Sequence, residues 1–204
     1  MTEEKSDGKK LTELLFLKNS GIFNNNVGDI EDIPAEKHNA AMRLGIKFSP
    51  DIIVYSSAPE SQAIAKIIAG FSEQNTTLVE ESRLSFDHYS DSFSSDFIES
   101  LKGFSEREQT SRIIKHSAAI QISTTELMLI VSLIRQPNNG QKKILLLSQA
   151  GLIEALEARI LKISDLEGLN GPAGYLEGLR FFIKDDDLFV QVRQCDLTFL
   201  LPIL

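Results

Sequence analysis

The chain has 204 residues, 42% of them hydrophobic and 25% charged, which is the composition of a globular domain rather than a disordered segment. Its formal net charge of -8, without any cluster of basic residues, argues against nucleic acid, whose binding rests on grouped Lys and Arg set against phosphates. The longest apolar stretch, residues 127–134, is broken by Ser132 and falls far short of the roughly 20 residues that span a bilayer. The polar start of the chain has no leader-like apolar segment, and the single cysteine, Cys195, forms no intrachain disulfide. The expectation is a cytoplasmic protein without membrane association.

Residues 1–10 read as a polar tail and residues 11–204 as one domain. Leu14-Leu15-Phe16-Leu17 is a continuous apolar run, as in a strand covered on both faces. It ends in Lys18-Asn19-Ser20-Gly21, and a loop rich in Asn and Asp follows through Asn24-Asn25-Asn26. Pro34 suits a first helical turn, with Ala40, Ala41 and Leu44 as the apolar side and Gly45 as the stop. Ile52-Ile53-Val54-Tyr55 is a second buried strand. It runs into Ser56-Ser57-Ala58-Pro59 and a helix carrying Ala63, Ile64, Ile67 and Ile68, closed by Gly70.

Residues 76–79 read as a third strand, and the Ser- and Asp-rich residues 82–96 as a long surface loop. Ser105 with Glu108 has the spacing of a capping box. A further helix from Ser123 or Thr124 carries Leu127, Ile130, Val131 and Ile134, before a turn at Pro137-Asn138-Asn139-Gly140. Ile144-Leu145-Leu146-Leu147 is a buried strand ending in Ser148-Gln149, followed by a helix over 152–162. Antiparallel strands at 175–184 and 188–195 flank Asp185-Asp186-Asp187, a hairpin turn too short for a calcium loop.

Alternating buried strands and helices predict a three-layer α/β/α domain with a mainly parallel sheet. Ligands of such sheets sit beyond the C-terminal ends of the strands. Three of those ends carry polar clusters: Lys18-Asn19-Ser20, Ser56-Ser57 and Ser148-Gln149. As parallel neighbours they would converge on one crevice.

At these clusters the chain resembles the histidine phosphatase superfamily, also called phosphoglycerate-mutase-like, and is nearest its small phosphohistidine-phosphatase branch. Members open with a strand ending in Arg-His-Gly, where this chain has Lys18-Asn19-Ser20. Their second strand ends in Ser-Ser-Pro with an Arg early in the next helix, where this chain has Ser56-Ser57-Ala58 and then Ser61. A later strand ends in Ser-His-Gly, where this chain has Ser148-Gln149-Ala150. The resemblance covers roughly residues 12–190.

The resemblance implies a phosphate pocket made by Lys18, Asn19, Ser57, Ser61 and Gln149, and a loss of its chemistry. Asn19 would replace the nucleophilic His, and an amide only donates and accepts hydrogen bonds. Lys18 keeps a charge without the planar fork of Arg. Ser61 and Gln149 carry none. Phosphoryl transfer is positioning and charge neutralisation, and each lost donor costs about 100–1,000-fold. The implied function is that of a pseudoenzyme retaining weak binding of a phosphorylated small molecule or protein, or acting through protein contacts. One alternative is a phosphohydrolase using other groups, such as a water activated by Asp87 or His88. The other is an interaction protein with an empty crevice. No cofactor or metal is expected, since the histidines His38, His88 and His116 lack partners at ligand spacing; His38 and His116 are expected to face solvent.

Overall fold

The computed structural model describes residues 13–23, 29–135, 142–184, 187–193 and 198–201. The expected tail, the loop at Asn24-Asn25-Asn26, the turn at 137–140, Asp185-Asp186 and Cys195 lie outside the described residues. Seven strands, β1 (Glu13–Ser20), β2 (Ile52–Tyr55), β3 (Thr77–Glu80), β4 (Lys143–Gln149), β5 (Gly178–Lys184), β6 (Asp187–Val192) and β7 (Thr198–Leu201), form one sheet. Its order is β3-β2-β4-β1-β5-β6-β7. The first four strands in that order run parallel, and β5, β6 and β7 extend the sheet antiparallel beyond β1.

The helices are α1 (Ala35–Phe48), α2 (Pro59–Gly70), α3 (Ser95–Leu101), α4 (Glu106–Lys115), α5 (Ala118–Arg135) and α6 (Leu152–Leu161). Successive strand residues face opposite sides, and the sheet's two cores follow that alternation. Leu14, Phe16, Ile144 and Leu146 pack with Ile130 of α5 and Leu156 of α6. Leu17, Ile53, Leu145 and Leu147 pack on the other face with Ala41 of α1 and Ile64 of α2. This is the α/β/α layering expected from continuous apolar runs. α5 is long and apolar enough by composition to cross a membrane, but Ile122, Leu129, Ile130 and Ile134 are buried in the protein core.

Three local expectations are corrected. Gly45 lies inside α1 rather than ending it, because a Cβ there would sit 2.4 Å from the Ile68 carbonyl oxygen. Its bareness lets α1 and α2 approach, and the helix ends instead at Ser49 in the left-handed region. Residues 82–96 are not a surface loop. They form 3-10 turns at Ser82–Leu84 and Phe86–Ser92 that bury Leu84, Phe86, Tyr89 and Phe93. The last three join a third core with Leu101 and Ile113. α5 begins at Ala118, before the Ser123 or Thr124 start, because the buried Ala118, Ala119 and Ile122 extend its apolar side. The capping box is present, with Ser105 Oγ accepting from Glu108 N at 3.4 Å and Glu108 Oε2 accepting from Ser105 N at 3.0 Å.

Candidate functional site

Because β2, β4 and β1 are adjacent and parallel, their C-terminal ends lie side by side. The ladder continues just past them: Ser56 N donates to Leu147 O at 3.1 Å and Ala150 N to Ser20 O at 2.9 Å. The side chains at these ends then divide between the two faces of the sheet.

On the α2 side, Asn19 is fully buried. Its Nδ2 donates to Ser61 Oγ at 2.8 Å, and Ser61 Oγ lies 2.5 Å from Ser56 Oγ. Ser61 sits in the first turn of α2, which carries it to the end of β1. Ser57 stands apart from this network. Ser56 continues the ladder and stays in the buried layer, whereas Ser57 lies in the turn to α2 and is exposed. Beside this network Glu60 is buried, with Lys37 Nζ 2.5 Å from its Oε1 and its Oε2 unpartnered. The Lys37 ammonium stands 5.2 Å from the centre of the Tyr175 ring. Burial, with the Glu60 charge second, pushes the Tyr175 hydroxyl pKa upward.

Gln149 closes the end of β4. Its Oε1 accepts from Phe86 N at 2.6 Å and from Ser85 Oγ at 3.2 Å, and Ser148 Oγ donates to Leu84 O at 3.2 Å. The segment after β3 thus lies over the end of β4.

Lys18 follows the alternation of β1 to the face opposite Asn19. Its Nζ lies 2.6 Å from Glu106 Oε1 at the start of α4, the two side chains being 9% and 43% exposed. Behind it are carboxyl groups that sequence reading passed over. Glu154 of α6 accepts from Gly151 N at 2.7 Å and Ala173 N at 2.9 Å; burial raises its pKa, while the Lys18 charge and the backbone donors pull it back. Glu126 of α5 is buried with neither oxygen partnered. Burial, reinforced by Glu154, holds its pKa well above the usual carboxyl value. Glu157 pairs with Arg193 at 2.8 Å, and burial pushes it up to about 7 against the pull of that guanidinium. The spacing of Ile122, Glu126, Leu129 and Ile130 was the sequence signal for Glu126, since it puts the acid on the apolar stripe.

Chemically, the buried network on the α2 side is neutral hydrogen-bonding groups with no nucleophile at Asn19. Asp87 and His88 are exposed, so the alternative that needed them in the crevice loses its footing. His38 and His116 both depart from the solvent expectation: each is half-buried, His38 with its ring 6.4 Å from Phe71 and His116 with its ring 4.7 Å from Phe93 and 4.5 Å from Phe97 between centroids. Among the described residues no group of three or more His, Cys, Asp or Glu is placed to hold a metal ion.

No family model and no curated protein sequence matches the chain. Solved structures do. Mycobacterial hydrolase 1 superposes with a TM-score of 0.56 at 12% identity, over 91% of this chain and 99% of that one. Phosphoserine phosphatase from Entamoeba histolytica, in complex with 3-phosphoglyceric acid, gives 0.55 at 15% identity, over 91% and 98%. Phosphoglycerate mutase from Bacillus anthracis gives 0.53 at 14% identity, over 90% and 92%. Similarity across nearly the whole of each chain, at identities that carry the fold and nothing finer, gives this protein the phosphoglycerate-mutase-like fold of the histidine phosphatases.

Proposed function

We propose that the chain is a non-catalytic version of this fold, a cytoplasmic pseudoenzyme that works by weak binding of a phosphorylated ligand or by protein contacts instead of phosphoryl transfer. The observation that carries the reading is the 2.8 Å hydrogen bond from Asn19 to Ser61. By the motif resemblance these two residues stand where the nucleophile and a phosphate-clamping Arg would stand. A phosphoryl group must lie between nucleophile and clamp, and here the two positions touch. The lone pair of the Asn19 amide nitrogen is delocalised into its carbonyl, so the side chain donates and accepts hydrogen bonds but does not attack phosphorus, and neither Ser61 nor Gln149 carries a charge to neutralise the transition state.

The test is hydrolysis of p-nitrophenyl phosphate, phosphoserine and 3-phosphoglycerate by the purified full chain. The expected rate equals that of a protein-free blank. Turnover that disappears in Asn19→Ala or Gln149→Ala would overturn the proposal.

A further inference from the structure

We propose that Glu106 is a built-in competitor: its carboxylate occupies an oxyanion site at Lys18, and a free oxyanion binds there only when Glu106 turns out into solvent. This rests on the reading above, that the site binds without turning over, and adds what controls access to it. Lys18 is a nearly buried cation, and such a charge is held in a fold only with an anionic partner. Its other neighbouring carboxyl, Glu154, already accepts from two backbone N–H groups. Glu106 is a different kind of partner. It stands in the first turn of α4 with 43% of its side chain exposed, so rotation about its own bonds takes it to water without moving the helix.

Unpaired donors stand on the segments that carry this ion pair. Glu106, Thr110 and Ile113 fall on one stripe of α4, by the spacing that puts residues three and four apart on one helix face. At one end of the stripe Glu106 meets Lys18. At the other, the Ile113 side chain overlies Gly151, where an added Cβ would come within 2.7 Å of it. Thr110 lies between them on that buried stripe, and Ser20 stands two residues beyond Lys18 at the end of β1. The hydroxyls of Thr110 and Ser20 are both buried and both unpartnered. Unsatisfied buried hydroxyls are costly, and a tetrahedral oxyanion has acceptors to spare for two O–H donors besides the ammonium. Glu106 serves only Lys18. The ligand class is accordingly a phosphate or phosphomonoester dianion.

The experiment is a thermal-shift and calorimetric titration of the full chain with inorganic phosphate, phosphoserine and, at matched ionic strength, sodium chloride. It is run on wild type, Glu106→Gln, Glu106→Ala and the double variant Glu106→Ala/Lys18→Met. A site masked by its own chain most of the time loses apparent affinity by the unmasked fraction, so both single variants should bind phosphate about ten- to a hundredfold more tightly than wild type. The double variant should lose that gain. Phosphoserine binding as well as phosphate marks the ester as ligand; phosphate alone marks the free ion. The inference is overturned if Glu106→Gln and Glu106→Ala bind no better than wild type, or if chloride gives the same stabilisation. Those results would leave the absence of turnover untouched, whereas turnover by wild type would overturn the reading beneath without bearing on the masking.

Discussion

The two faces of the sheet treat buried polarity differently at the same strand ends. On the α2 side, Asn19, Ser56 and Ser61 are neutral and satisfy one another, and the one buried acid beside them, Glu60, is paired with Lys37. On the α5 and α6 side, Lys18, Glu126, Glu154 and Glu157 are ionisable groups in the interior, with the partly buried Arg193 against Glu157, and neither oxygen of Glu126 has a hydrogen-bond partner. A neutral group that is hydrogen-bonded costs little to bury, while an ionisable one is tolerated only if paired or neutralised. The neutral network toward α2 is closed structure with one buried ion pair beside it, while most of the buried carboxyl groups, and with them the larger part of the pH dependence of stability, lie on the α5 and α6 side.

The sharpest way to break that contrast is Arg193→Met. Arg193 donates to Glu157 and to the carbonyls of Leu169 and Gly171, tying β6 to α6 and to the loop after it. Removing it strands a buried carboxylate, and the expected loss is about 3–5 kcal/mol in chemical denaturation. Arg193→Met/Glu157→Leu should recover most of it, because replacing both partners removes the uncompensated charge. A double variant as weak as the single one would mean that the carbonyl bonds, and not the ion pair, hold this corner.

Glu126→Leu acts in the other direction. The folded-state pKa of Glu126 is raised above the ordinary 4.5. Below that value both states hold the proton and the group contributes nothing. As pH rises past it, the unfolded chain releases the proton while the folded chain keeps it, so wild-type stability falls through the window up to the raised pKa. The leucine variant should therefore be more stable by about 1–3 kcal/mol at alkaline pH, with a smaller difference near pH 5. Denaturation curves at the two pH values decide it; a difference that does not widen with pH would place Glu126 in contact with water or a partner.

Much of the scaffold was readable because it obeys local rules. Continuous apolar runs at β1, β2 and β4 announce strands covered on both faces, and Ser105 with Glu108 announces the start of α4. The segment after β3 is not legible in the same way, because its average polarity hides Leu84, Phe86, Tyr89 and Phe93, whose burial depends on 3-10 turns with no strict apolar period. Asn19, Ser61 and Gln149 could be located through motif order. The partners of Gln149 and of Lys18 could not, since Ser85, Phe86 and Glu106 lie more than sixty residues away along the chain. Motif order puts Lys18 and Asn19 in one pocket, whereas strand alternation sends neighbours to opposite faces.

On the neutral side the effects are smaller. Asn19→Ala removes one of the groups that satisfy the Ser61 hydroxyl and opens a small cavity, with an expected loss of about 1–3 kcal/mol that does not change with pH between 5 and 8, roughly the span over which no group in this network titrates. A pH-dependent loss would show that a charge from the other face reaches this network.

The smallest effect discriminates between two adjacent serines. Ser56→Ala loses the 2.5 Å contact to Ser61 and should cost about 1 kcal/mol, whereas Ser57→Ala, at an exposed turn position, should stay within about 0.5 kcal/mol of wild type. The pair matters beyond its size, because motif order alone gives either serine a claim to the site and only the backbone turn after β2 separates them. If Ser57→Ala proves the costlier change, the turn presents the opposite serine inward, and the closed neutral network on which the absence of catalysis is argued would have to be redrawn around a different hydroxyl.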